Sequence, residues 1–333
     1  MRALRVLLVA LLLAGCAMAQ TALNGAGATF PYPIYSKWFN EYHKEHPDVE
    51  INYQSIGSGG GIQQVTAGTV DFGASDGPMT DQQLAQAKRT LFHLPTVLGA
   101  VVPAYNVAGV SGLRFSPQTI ANIYLGHITN WNDKAIAADN PGAKLPDKSI
   151  VVIHRSDGSG TTYIFTDFLS KVSNEWKNGP GKATSIKWPV GLGAKGNENV
   201  AGMIRQMDGG FGYVELIYAL QNNIAYGAVK NAAGQWVKAT LESTTAAAAS
   251  VKDMPADFRV SITNPPGAAA YPIASFTWLL VPAQWSDAHK KGTFVDFLSW
   301  MLDRGETMTS ALYYAPLPTE VATKVRAKIK EIR

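Results

Sequence analysis

Cysteine is nearly missing from this chain: Cys16 is the only one among 333 residues. A lone thiol near the chain start rules out a disulfide framework. Charge is scarce, at 16% of residues, and close to balanced, with 29 basic side chains against 25 acidic ones. The broad basic face used for bulk polyanion binding is therefore lacking, and nucleic acid is not an expected partner. Any anion has to be held by a local site. Catalytic signatures are missing too. Neither Ser58 nor Ser159 lies in a G-x-S-x-G turn. Gly181-Lys182-Ala183-Thr184 has neither the spacing of a Walker loop nor a hydroxyl directly after its lysine. The eight tryptophans are scattered, which points to core packing rather than a sugar platform. After the first twenty residues, no stretch comes near the roughly 18 unbroken apolar residues that span a bilayer.

Those first residues read MRALRVLLVALLLAGCAMAQ. Arg2 and Arg5 precede the apolar run Val6 to Leu13, and small residues follow. This is the pattern of a secretory signal peptide covering residues 1–19, with cleavage near Ala19 and a soluble exported product. The alternative is a lipoprotein anchored through Cys16, in the setting Leu13-Ala14-Gly15-Cys16. Without the leader and its two arginines, 314 residues remain, with 27 basic against 25 acidic side chains. That length suits about two domains.

The rest alternates between strand, turn and helix, which favours α/β layers with mainly parallel strands. PYPIYSKWFNEYHKEH reads as a helix with prolines in its first turn and Ile34, Trp38 and Tyr42 on one face. VEINYQSI and TVDFGASD read as strands, and LPTVLGAVVPAYN as a long buried strand broken at Pro103. TTYIFTDFLSKV is a helix, GFGYVELIYAL is strand-like, and FTWLLVP is a buried strand. FVDFLSWMLDRG and TEVATKVRAKIKEI close the chain as helices. The second carries an apolar stripe, Val321, Val325 and Ile329, expected to dock on the body of the protein. His43 and His46 are expected at an exposed helix end rather than on a metal.

Three strand-to-helix turns are alike: Gly25–Phe30, Gly57–Gly61 and Asp157–Thr161. Each is glycine-rich and carries a hydroxyl, from Thr29, Ser58, and Ser159 with Thr161. The first N–H groups of a helix lack partners within it, and the peptide dipoles add roughly half a positive charge there. Glycine lets the backbone approach a guest closely. A small oxyanion fits such turns. Arg155 adds a rigid fork of donors that matches a tetrahedral oxyanion, unless it is engaged in a surface ion pair with Asp157. Asp76, at a strand end, is informative because an ionised carboxylate only accepts hydrogen bonds. It would admit phosphate, which keeps a proton near neutral pH, and reject sulfate, which has none. The competing role for Asp76 is a cap on the turn Gly77-Pro78.

The motifs LNGAGATFPYPIYSKW, YQSIGSGGGIQQV, VDFGASD, IYLGHITNW, HRSDGSGTTYIFT, KWPVGLGAKGN and GYVE follow in this order. From about Leu23 to its end, the chain resembles the periplasmic phosphate-binding proteins of bacterial phosphate-specific ABC transporters. The resemblance implies an α/β, two-lobed periplasmic-binding-protein fold (type II). Each lobe would be a mainly parallel sheet flanked by helices, with two hinge crossings between the lobes. We expect lobe 1 to hold residues 20–102 and 272–333, and lobe 2 residues 103–271. The resemblance further implies a phosphate site of Thr29, Phe30 (through its backbone N–H), Ser58, Asp76, Arg155, Ser159, Gly160 and Thr161. His154 departs from the family pattern, where a second arginine stands. No cofactor or metal is implied. Partners would be inorganic phosphate and the transmembrane permease subunits with their ATPase, met in the periplasm by a monomer. The alternatives are a binding protein for another tetrahedral oxyanion, or a phosphatase using Ser159.

Overall fold

The computed structural model describes residues 20–251 and 253–333. The expectations about the leader and Cys16 fall outside the described residues. The strands are β1 (Thr21–Gly27), β2 (Val49–Ser55), β3 (Phe72–Ser75), β4 (Leu91–Asn106), β5 (Arg114–Phe115), β6 (Val151–Arg155), β7 (Leu192–Ala194), β8 (Gly210–Glu215), β9 (Ala225–Tyr226), β10 (Ala228–Lys230), β11 (Trp236–Val237) and β12 (Ala274–Pro282). Nine of them form one sheet in the order β2-β1-β3-β12-β4-β8-β6-β7, with β9 also on β4. β1 pairs in parallel with β2 and β3, and β6 in parallel with β7 and β8. Antiparallel β12 and β4 join these two parallel blocks. The α/β layering is as expected; the strands are parallel in the two outer blocks and antiparallel where β12 and β4 pair. The two blocks nevertheless share one sheet.

β4 explains the join. Fourteen of its sixteen residues are buried, as the unbroken apolar run demands of a central strand. It pairs with β12 along Leu91–Ala100 and with β8 along Val101–Asn106. The expected break at Pro103 does not occur: Pro103 stands opposite Tyr213 within the ladder. A strand tolerates proline where the missing N–H has no acceptor to serve. On the flank that β12 leaves at Ala100, pairing resumes with β9 only at Ala104, and the Pro103 carbonyl accepts from Gly227 N–H at 2.9 Å.

The helix Tyr32–Glu45 buries Ile34, Trp38 and Tyr42, and Trp38 Nε1 donates to the Gly305 carbonyl at 2.8 Å. Trp38, Trp131, Trp176 and Trp278 are fully buried, so packing accounts for them. Val321, Val325 and Ile329 face inward on the helix Thr319–Ile329. GFGYVELIYAL divides: β8 ends at Glu215 and Leu216–Gln221 is a helix. All of the segment but the half-buried Leu220 is buried, so its composition suits either state. What decides is Glu215, whose carboxylate accepts from Ile217 N–H at 2.8 Å and caps the helix.

Candidate functional site

The three glycine turns converge. Gly59 N–H donates to the Gly158 carbonyl at 2.8 Å, so the turn after β2 lies against the turn after β6. Gly57 has φ of +91°, a conformation only glycine adopts freely, and a Cβ there would collide with the Asp157 carboxylate. Ser58 Oγ accepts from Asp76 N–H at 3.2 Å and from Gly160 N–H at 3.0 Å. One hydroxyl thus ties the end of β3 to the start of the helix Gly160–Val172.

Asp76 is buried to 1% exposure. Its Oδ1 accepts from Thr277 Oγ1 at 2.8 Å, whereas Oδ2 receives only a long contact from Ser58 Oγ at 3.4 Å. Burial pushes its carboxyl up to about 7. The Thr277 hydroxyl, the positive charge of Arg155 and the Ser58 hydroxyl pull the other way. The Gly77 carbonyl accepts from Ser75 Oγ at 2.5 Å, so Ser75 rather than Asp76 serves the following turn.

Arg155 is buried at the end of β6. Its guanidinium makes a two-point contact with Asp157, Nε to Oδ1 at 2.7 Å and Nη2 to Oδ2 at 2.5 Å, and Nη1 reaches Thr161 Oγ1 at 3.4 Å. The ion pair weighed as a surface feature does form, but its arginine side chain is only 1% exposed. It holds the fork against the turn. Burial opposes ionisation of Asp157, yet Arg155 outweighs that and lowers its pKa below the usual carboxylate range. Ser159 caps the helix Gly160–Val172, accepting from Thr162 N–H at 3.0 Å. Among the described residues, no histidine or carboxylate is hydrogen-bonded to this hydroxyl. Thr29 Oγ1 and Thr161 Oγ1 come from different turns and are joined through Asn197 Nδ2, at 2.8 and 3.0 Å. Phe30 is buried beside them, its carbonyl accepting from Tyr314 Oη at 2.6 Å.

Hydrogen bonds link Ser58 with Asp76 and Gly160, and Thr161 with Arg155 and, through Asn197, with Thr29; Phe30 and Ser159 are their chain neighbours. His154 points elsewhere, stacked on Trp188 with ring centroids 4.8 Å apart and Nδ1 at 2.9 Å from the Arg155 carbonyl. Burial lowers its pKa. His43 Nδ1 sits 2.6 Å from the Val49 carbonyl. Among the described residues, no group of three or more His, Cys, Asp or Glu is placed to hold a metal ion. A surface groove of about 640 Å³ lies outside the cradle, lined by Tyr32, Lys37, Glu198, Tyr218 and Leu312.

Sequence reasoning missed Asn197 and Thr277. The first lies in KWPVGLGAKGN, a motif used for resemblance without a role for its last residue. The second is one of nine buried residues of β12.

A family model described as a PBP superfamily domain matches residues 15–304. The phosphate-binding protein PstS of Xylella fastidiosa (strain Temecula1) is 46% identical over 308 residues, spanning 92% of this chain and 84% of that protein. The chain belongs to the PstS family of the PBP superfamily. The phosphate-binding protein PstS of Haemophilus influenzae is 44% identical to this PstS-family chain over 312 residues, 93% of it and 92% of the relative. Among solved structures, a high-affinity periplasmic phosphate-binding protein bound with phosphate at pH 8.5 aligns with a TM-score of 0.74 and 22% identity, covering 92% of this chain and 93% of that one. The phosphate-binding protein from Stenotrophomonas maltophilia aligns with a TM-score of 0.71 and 21% identity over the same shares. These two likenesses are of fold.

Proposed function

We propose that this chain binds inorganic phosphate in the cradle and delivers it, in the cell envelope, to the transmembrane permease and ATPase of an ABC importer. The observation that carries the reading is a buried carboxylate, Asp76, in the same cradle as Arg155 and the hydroxyls of Thr29, Ser58 and Thr161; the Ser159 hydroxyl and the backbone N–H groups of Phe30 and Gly160 are the further donors this reading assigns. A guest must be anionic to suit the donors and must keep a proton for Asp76. Phosphate meets both conditions, and sulfate only the first. Charge-assisted hydrogen bonds contribute roughly 1.5–3 kcal/mol each. Six or more offset an association cost of about 4–15 kcal/mol, enough for a micromolar or tighter site.

The two walls belong to two lobes, residues 20–102 with 272–333 and residues 103–271, which swing where β4 changes partner and near Tyr271. A guest held by both walls favours the shut form, and the shut form is what the permease reads. The protein acts as a soluble monomer after leader removal, and it is a carrier rather than an enzyme. Calorimetry with phosphate and with sulfate on the mature protein tests the reading. Phosphate should bind at a one-to-one ratio, with sulfate at least a thousandfold weaker on the order of discrimination expected of a site built around a ligand hydroxyl. Equal binding of both, or turnover of a phosphate monoester lost in Ser159→Ala, would overturn it.

A further inference from the structure

Asn197 is the second residue of the helix Gly196–Gln206 and is fully buried. The orientation of its amide is settled by chemistry. Its Oδ1 lies 3.0 Å from Glu215 N–H, and a backbone N–H can only donate, so oxygen faces Glu215 and the NH2 group faces the cradle. That NH2 group donates to Thr29 Oγ1 and Thr161 Oγ1. A second donor reaches each hydroxyl: Asn197 N–H to Thr29 at 3.3 Å, and Arg155 Nη1 to Thr161 at 3.4 Å. A hydroxyl oxygen has two lone pairs and one proton. With both lone pairs engaged, each threonine keeps only its O–H, and among the described residues neither O–H donates to a protein acceptor.

We infer that Asn197 is a positioning residue that commits Thr29 and Thr161 to donate toward the bound anion. This leaves Asp76 to accept the proton of the guest. A hydroxyl free to turn could accept from a more highly protonated guest or donate to a less protonated one, and would weaken the selection. The inference rests on the phosphate reading above and adds a residue on which its specificity depends.

Phosphate calorimetry in two backgrounds tests it. Asn197→Ala frees both hydroxyls to rotate and should weaken binding about tenfold or more in the wild-type background, given the usual contribution of charged hydrogen bonds. In a Thr29→Val/Thr161→Val background the hydroxyls are already gone, and the same substitution should change affinity by less than about twofold. That background keeps Ser58, Asp76 and Arg155, so titration at high phosphate stays measurable. Equal losses in both backgrounds would reduce Asn197 to packing and overturn the inference. Asn197→Asp matches the size of asparagine but faces the threonines with an acceptor, drawing their protons away from the anion. Its charge repels the anion in both backgrounds, so it should bind phosphate more weakly than Asn197→Ala in each, with the larger deficit in the wild-type background, where the hydroxyls are also turned away. Asn197→Asp binding better than Asn197→Ala would show that volume matters instead, and the inference would fail. Melting temperatures without phosphate establish which variants fold, and if Asn197→Ala does not, Asn197→Asp in the two backgrounds completes the cycle. A wild-type protein that ignores phosphate would sink the proposed function itself, an outcome distinct from binding without coupling.

Discussion

Replacing Gly160 with alanine should separate folding from closure. A Cβ at this position would lie 2.5 Å from Asp76 Oδ2 and from Ser58 Oγ, and 2.6 Å from Asp76 Cβ. Ordinary contact begins near 3.4 Å, so the facing wall must withdraw by about 1 Å. The hydrogen bond from Gly160 N–H to Ser58 Oγ, 3.0 Å long, would then exceed a useful length. An anion gripped by both walls would lose the bonds from one of them. Losing two such bonds, at roughly 1.5–3 kcal/mol each, weakens binding by about 3–6 kcal/mol, or roughly 10²- to 10⁴-fold. The collision exists only when the walls meet, and alanine suits the first turn of a helix. The melting temperature without phosphate should therefore stay near that of the wild type, while the shift produced by phosphate shrinks. Calorimetry measures the affinity, and small-angle scattering reports whether phosphate still compacts the molecule. Unchanged affinity in Gly160→Ala would refute this reasoning, because it would mean that the two turns do not meet around the guest.

In Asp76→Asn, the Thr277 hydroxyl keeps the amide oxygen on its own side, so an NH2 group faces the cradle. Phosphate should bind about 10- to 100-fold more weakly and sulfate should gain measurable binding, by calorimetry at pH 8. An unchanged ratio would remove Asp76 from the role assigned to it. Glu306 tests burial away from the cradle. One of its carboxyl oxygens lacks a partner, and burial pushes its pKa up to about 8, against roughly 4.3 unfolded. The native state holds the extra proton between those values, so its stability falls as pH rises from roughly 4 to 8. Glu306→Gln should flatten that fall in melting temperatures taken at pH 5 and pH 8, and parallel slopes would contradict the assignment. Ser159→Ala removes a helix cap and should cost about 0.5–2 kcal/mol in denaturant unfolding. The same variant should lose part of its phosphate affinity, and no loss in either assay would contradict both roles of the hydroxyl.

The turns were legible because their signals are local: glycine, hydroxyl and a charged neighbour close together in the chain. Thr29, Ser58, Asp76, Arg155 and Thr161 could be named on that basis, and the resemblance added Phe30 and Gly160. Asn197 left no such trace. A buried amide has no periodicity, and its value comes from Glu215 fixing one end and two threonines meeting the other, all far apart in sequence. Thr277 was hidden for a related reason, as one hydroxyl in a uniformly buried strand. Pro103 misled because proline reads as a break, and only the places where neighbouring strands stop show that its missing N–H goes unrequired. ELIYAL was ambiguous because a largely buried, mostly apolar run suits strand and helix alike until its cap is seen.

The path of β4 has a mechanical consequence. One uninterrupted strand runs from the β12 side of the sheet to the β8 side, so there is no slack cord at this crossing. Any movement that parts the two walls has to flex this strand near Ala100 and Val101, much as a leaf spring is bent. The recoil at this crossing would be elastic, with no loose chain to put in order there each time an ion is caught. Grip on the guest can then go into selectivity instead of into gathering up a tether.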